Sequence, residues 1–253
     1  MSLSDEQLDR YARHIILKEV GGEGQRRLLD AKVAVIGAGG LGSPLILYLA
    51  AAGVGTIGVI DDDVVELSNL QRQVLHTNTQ LGALKTASAT EAVSALNPDV
   101  KVTGYPMRLS RDNARDILSG YDVVADGCDN FTTRLTVNDA CVALGIPLVS
   151  AAVAGFEGQI STFKPHAGPD LPCYRCFVPD DPGDLDRSCS DQGILGAVAG
   201  VLGTLQGVEV LKEILGIGDS LAGRLLIYDA LGAQMRTIRL PRDPACPVCG
   251  GAK

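Results

Sequence analysis

Two sets of residues in this 253-residue chain have the types and spacing to do chemistry. The first is Gly37-Ala38-Gly39-Gly40-Leu41-Gly42 with Asp61, the run Ser68-Asn69-Leu70-Gln71-Arg72-Gln73, Lys85, and the pair Asp129-Asn130. The second is two C-x2-C pairs, Cys173/Cys176 and Cys246/Cys249, with Cys189 between them. Glycines on a strand-to-helix turn make a phosphate-binding corner. Gly37 permits the tight turn, Gly39 and Gly40 let backbone approach an anion, and Gly42 lets helix and strand pack closely. Asp61 ends a second apolar run, where a carboxylate commonly takes a ribose hydroxyl. A dinucleotide coenzyme has no use for Arg, Asn, Gln and Lys just beyond that carboxylate. A triphosphate does, because charge-assisted donors must spread over several phosphate oxygens and Arg can do so bidentately. Each of these side chains alone is better explained as a solvated surface charge; clustered behind a complete glycine fingerprint, they are not.

Each cysteine pair can hold two tetrahedral thiolates on a tight knuckle, and together they make a closed four-cysteine zinc site. The gap between pairs exceeds that of a zinc ribbon, and a redox dithiol is the alternative. With four ligands and no open position the zinc is structural, closing a long loop. Cys189, in Arg187-Ser188-Cys189-Ser190, precedes an expected helix N-terminus where a thiolate would be stabilised. Cys128 reads as a small buried filler. His14, His76 and His166 have no triad-like context, and none is assigned a catalytic role.

Gly37 to Gly42, Asp61, Ser68 to Gln73, Lys85 and Asp129 resemble the adenylation domain of the ubiquitin-activating-enzyme superfamily. Within it the chain is similar to the HesA/MoeB/ThiF family, which activates ubiquitin-like sulfur carriers, from Arg10-Tyr11-Ala12-Arg13-His14 to the last cysteine pair. The resemblance implies ATP as substrate, with Asp61 on its ribose and Asn69, Arg72 and Lys85 on its phosphates. It also implies Mg2+ held by Asp129, a hard carboxylate suited to that ion; capping the helix near Asn130 is the plainer role for this residue. Arg13 matches an arginine reaching the phosphates from the other subunit of a homodimer. Zn2+ is implied at the four cysteines, and the loop over residues 169–192 would cross the carrier's C-terminal tail. Cys189 matches a cysteine that is a covalent nucleophile in some members and dispensable in others.

Such a site needs a frame. Lys32 to Ile36, Thr56 to Ile60, Val100 to Thr103 and Asp122 to Asp126 read as strands, and Leu84 to Leu96 as a helix stopped by Asn97-Pro98. Lys85 sits at that helix start, where the dipole disfavours a cation unless it faces an anion. Ser4 and Gln7 form a capping box, and Leu8, Tyr11, Ile15 and Ile16 give one amphipathic first helix. Arg111 to Leu118 reads as a short helix. Pro147 to Ala152, Gly158 to Phe163, Arg224 to Tyr228 and Met235 to Leu240 are later strands with a less regular βαβ pattern. The expected fold is therefore an α/β Rossmann-like doubly wound sheet, parallel in its N-terminal half and mixed or antiparallel toward the C-terminus. Residues 1–253 make one domain. Gly196, Gly200, Gly203 and Gly207 put a small-residue face on a late helix, packed either internally or against a second subunit.

With 22 basic against 30 acidic residues the net charge is −8, which disfavours nucleic acid and anionic membranes as partners. No apolar signal segment opens the chain and no run is long enough to span a bilayer, so a reducing cytoplasm is expected. The expected reaction is adenylation of a carrier's C-terminal Gly-Gly carboxylate, already ionised at neutral pH and so needing no general base. Nothing in the chain distinguishes molybdopterin, thiamine and tRNA-thiolation carriers. The chain ends at Lys253 without the rhodanese domain of some relatives, so sulfur is expected from a separate donor protein. A nicotinamide-dependent oxidoreductase would leave Arg72, Lys85 and Asp129 idle. A non-catalytic nucleotide-binding module would leave the whole phosphate set without purpose.

Overall fold

The computed structural model describes residues 3–179 and 193–250. Among them an eight-stranded sheet runs in the order β3-β2-β1-β4-β5-β6-β7-β8. The first five in space are parallel: β1 (Lys32–Ile36), β2 (Thr56–Ile60), β3 (Lys101–Tyr105), β4 (Val123–Asp126) and β5 (Leu148–Ala154). From β5 onward β6 (Glu157–Phe163), β7 (Arg224–Asp229) and β8 (Gln234–Arg239) pair antiparallel. The expected change from parallel to antiparallel falls at β5, where a tight turn rather than a helix joins it to β6.

Alternation along β1 explains why helices cover both faces. Val33 and Val35 point to one side and pack with Leu45 and Leu49 of α4 (Gly42–Ala52), Val93 of α5 (Lys85–Leu96) and Leu202 of a long late helix, Gly196–Leu215. Ala34 and Ile36 point to the other side, against Leu118 of α6 (Ala114–Leu118) and Leu135 and Val137 of α7 (Phe131–Leu144). Each such valine, leucine or isoleucine contributes about 1.5–3 kcal/mol when fully buried. After β1 the chain moves outward through β2 and β3, then returns to lay β4 on the other side of β1. The carboxyl ends of β1 and β4 thus open a crevice at a topological switch point.

The N-terminal segment departs from expectation. It forms two short helices, α1 (Asp5–Arg10) and α2 (Ala12–Ile15), separated at Tyr11. The Ser4–Gln7 capping box is present. The apolar stripe is not buried as a unit: Tyr11 is 1 % exposed, Leu8 44 % and Ile16 69 %. Tyr11 is drawn inward because its hydroxyl accepts a hydrogen bond from Asn97 Nδ2 (2.8 Å) and its ring lies over Gly53. Between α2 and β1 lies α3 (Gly21–Asp30). α6 begins at Ala114, three residues later than expected, because Asn113 Oδ1 accepts the Ser110 N–H and closes a turn first.

Short α8 (Tyr174–Phe177) carries Cys176 and has Cys173 at its N-cap position, and α9 (Gly196–Leu215) spans the sheet. Gly196 and Gly203 of α9 pack internally. A Cβ on Gly196 would lie 2.3 Å from the Gln71 carbonyl oxygen, and one on Gly203 2.3 Å from that of Leu41. Gly200 has open space. Gly203→Ala must therefore push the start of α4 away from α9. We expect it to lower stability by about 1–3 kcal/mol in chemical denaturation. An unshifted midpoint would contradict this packing.

Candidate active site

Gly37 has φ +88°, a left-handed conformation that other residues adopt only under strain. Gly42 opens α4 so close to the corner that a Cβ on it would sit 1.9 Å from the Gly37 carbonyl oxygen. These two positions require glycine, and they fix the loop that turns from β1 to α4. The loop is also held from β2: Asp61 Oδ2 accepts the Ala38 N–H (2.8 Å), and Oδ1 accepts the Asp63 N–H (2.9 Å). Burial raises the Asp61 pKa above the usual carboxylate value, against the opposing attraction of Lys85.

Beside this loop lies a cleft of about 430 Å³, a size that suits a small-molecule site. It brings together Gly37, Gly39 and Gly40, Asp61, Ser68, Gln71, Arg72, Gln73, Lys85, Asp129 and Asn130. Lys85 is nearly buried and already faces anions of its own chain, with Nζ 2.8 Å from Asp63 and 4.0 Å from Asp61. That pairing accounts for a cation at the start of α5. Arg72 donates to the Ser68 carbonyl (3.0 Å), and its side chain approaches Gly40. Gln73 is buried, and its Oε1 has no hydrogen-bond partner, an acceptor left unmatched in the cleft wall.

Several residues sit differently from the expectation. Asn69 and Leu70 do not line the cleft; Asn69 Oδ1 accepts the Glu66 N–H (3.1 Å), closing its own turn. Gly42 has the packing role expected of it and does not itself line the cleft. Asn130, not Asp129, caps α7, accepting the Thr133 N–H at 2.9 Å, so Asp129 stays exposed at the cleft edge. Arg13 is exposed on α2 and does not line this chain's cleft. Cys189 and most of the expected crossing loop lie outside the described residues.

Two parts of the wall escaped the sequence reading. Met107, Arg108 and Leu109, just beyond β3, close one side, with Arg108 3.4 Å from Asp62. Arg134 of α7 lies 6 % exposed beneath the Asp129 loop. It pairs with Asp126 (3.2 Å) and donates to Ser150 Oγ (3.0 Å), the Ala151 carbonyl (2.9 Å) and the Cys128 carbonyl. Asp126 also accepts from the Cys128 N–H (3.0 Å) and Ser150 (2.9 Å). This network ties the loop carrying Asp129 to β4 and β5. The available signal was an arginine four residues beyond a helix cap, on the apolar side of α7. The Cys128 thiol, pushed well up by burial first and Asp126 second, stays protonated.

Away from the cleft, the ligand atoms of Cys173, Cys176, Cys246 and Cys249 all lie within 4.8 Å of one another. Sγ to Sγ is 3.6 Å for Cys173/Cys246 and 3.4 Å for Cys176/Cys249. Tetrahedral zinc with Zn–S near 2.3 Å puts sulfurs about 3.8 Å apart, so the four thiols are positioned to hold a metal ion. Burial pushes Cys176 up to about 11. A bound cation would reverse that by favouring thiolates.

Residues 11–248 match the ThiF family. The chain is 50 % identical over 252 residues to the SAMP-activating enzyme E1 of Haloferax volcanii, covering 99 % of this chain and 92 % of that protein. It is also 50 % identical over 253 residues to the sulfur carrier protein adenylyltransferase of Thermus thermophilus, covering 99 % and 93 %. The crystal structure of E. coli MccB with ATP superposes with a TM-score of 0.82 over 96 % of this chain and 75 % of that one; at 24 % identity this likeness speaks to the fold. A family match across nearly the whole sequence, with half-identical relatives of similar length, places this chain in the ThiF family.

Proposed function

We propose that this nucleotidyltransferase adenylates the C-terminal Gly-Gly carboxylate of a ubiquitin-like sulfur carrier of the MoaD or ThiS type. The product would serve thiocarboxylate formation in molybdopterin or related sulfur-cofactor biosynthesis. A carboxylate oxygen attacks the α-phosphorus of ATP; the new O–P bond replaces the α–β bridging bond, and pyrophosphate leaves. The carrying observation is the convergence of Gly39, Arg72, Lys85 and Asp129 on one cleft at the β1/β4 switch point.

No proton has to move in that step, so the protein's work is positioning and charge neutralisation. The glycine loop presents its backbone to the phosphates while Asp61 holds that loop through Ala38. Arg72 and Lys85 supply positive charge at the phosphates, Lys85 exchanging Asp63 for a phosphate oxygen. Asp129, an exposed cleft carboxylate, unlike Asp62 and Asp63 not engaged by Arg108 or Lys85, suits Mg2+, which is commonly held by one or two carboxylates together with phosphates; when bound it would neutralise phosphate charge. Exposed Arg13 on α2 would act from a second copy of the chain. Sulfur would come from a separate donor protein, and the reaction would take place in the cytoplasm.

Carrier-dependent pyrophosphate–ATP exchange tests this reading. Exchange should require a carrier ending in Gly-Gly with a free carboxylate, and a C-terminally amidated carrier should give none. Equal exchange with both would refute acyl adenylation.

The four thiols fit zinc in type and spacing, and we assign the ion a structural role joining α8 to the C-terminal segment. Elemental analysis should give one zinc per chain. Cys249→Ser should lower Tm by on the order of 10 °C. A metal-free protein with unchanged melting would overturn the assignment.

A further inference from the structure

His76 lies behind the glycine loop, 5 % exposed. Its Nε2 is 2.9 Å from the Ala38 carbonyl oxygen, and its Nδ1 is 2.7 Å from Ser88 Oγ. Ser88 Oγ is in turn 2.7 Å from Gln80 Oε1. The Gln80 amide is oriented at both ends. Its Nε2 donates to the Glu91 carboxylate (2.8 Å), and its Oε1 accepts the Thr77 N–H (3.0 Å). The Ala38 carbonyl and Gln80 Oε1 can therefore only accept.

A serine hydroxyl brings one proton and a neutral imidazole one N–H, so two protons must serve three contacts. With the proton on Nε2, either Nδ1 faces Oγ or Oγ faces Oε1 without a hydrogen between them. With it on Nδ1, Nε2 faces the Ala38 oxygen lone pair to lone pair. Only the imidazolium turns all three contacts into hydrogen bonds.

Two charged groups face this ring. Asp61, joined to the same loop through the Ala38 N–H, favours the imidazolium, and Lys85 on α5 opposes it. Glu91 reaches His76 only through Gln80 and Ser88. Burial is the largest influence, and it holds the ligand-free imidazole below its ordinary range. A triphosphate beside Gly37 and Gly39 adds negative charge across the loop from His76 and shifts that balance.

We propose that His76 takes up a proton from solvent as a nucleoside triphosphate binds, completing the Ala38–His76–Ser88–Gln80 chain and holding the glycine loop in place. It is a positioning residue, and the inference rests on the nucleotide reading above. Linkage requires the converse: triphosphate affinity falls as pH rises between the free and bound pKa values of His76, and is flat outside that window.

The three histidines can be followed separately by NMR in the full chain with and without magnesium-bound ATP. We expect the His76 midpoint to rise by about one pH unit or more on saturation. Calorimetry in two buffers of different ionisation enthalpy should show proton uptake, lost in His76→Gln, which keeps one donor for Ala38. Saturation with an unmoved His76 midpoint would overturn this inference alone. Absence of any magnesium–ATP binding would overturn it together with the nucleotide reading.

Discussion

Replacing Asp129 or Arg72 by alanine should lower carrier-dependent pyrophosphate exchange by about 100-fold or more, close to 3 kcal/mol of transition-state stabilisation. Both side chains reach the cleft from positions that are not buried. Neither is part of the core, so melting should stay within about 0.5 kcal/mol of wild type. A folded, inactive pair of variants is the signature of charge placed for chemistry rather than for stability. Wild-type exchange in both variants would remove these residues from the mechanism, and a matching loss of Tm would make them structural.

The opposite signature is expected at Arg134. Removing its guanidinium leaves the Asp126 carboxylate, 1 % exposed, without its ion-pair partner. Breaking a buried pair from one side costs about 3–5 kcal/mol. For a chain of this size that corresponds to a Tm lower by roughly 6–20 °C in Arg134→Met. Adding Asp126→Asn removes the stranded charge while keeping an acceptor for the Cys128 N–H, and should recover at least half of the loss. Because Arg134 also fixes the Cys128 carbonyl, exchange activity should fall in the single variant even at temperatures where it is folded. A double variant no more stable than the single one would show that the buried pair is not what holds the Asp129 loop.

These contrasting expectations follow from what is local and what is not. Gly37 and Gly42 are legible from sequence because a tight turn and a close approach are properties of a few consecutive residues. The place of Asp61 at the cleft is legible because it ends an apolar run, and the clustering of the four cysteines because two-residue spacing is a ligand geometry. The second use of Asn69 is not, since its amide oxygen also accepts the Glu66 N–H and closes a local turn. Tyr11 fits a helical stripe by spacing, yet the helix is interrupted there, and its hydroxyl is held by Asn97, 86 residues away. Arg134 and the Met107–Leu109 wall reach the cleft, and His76 the back of the glycine loop, only through the order of strands in the sheet. No window of sequence contains that order.

The same distinction bears on α9. Its glycines are regularly spaced, but only the fold shows that Gly196 meets the Gln71 carbonyl and Gly203 the start of α4. The helix thus supports both the glycine corner and the arginine-bearing loop. Packing at a distance from the cleft becomes part of how its charges are placed.

The most direct test of the central claim is the intact mass of a Gly-Gly carrier after incubation with this protein, ATP and Mg2+. The account predicts a carrier heavier by one AMP, formed with release of pyrophosphate and absent when Asp129 is alanine. An unmodified carrier in the presence of bound ATP, across molybdopterin, thiamine and tRNA-thiolation carriers alike, would contradict it.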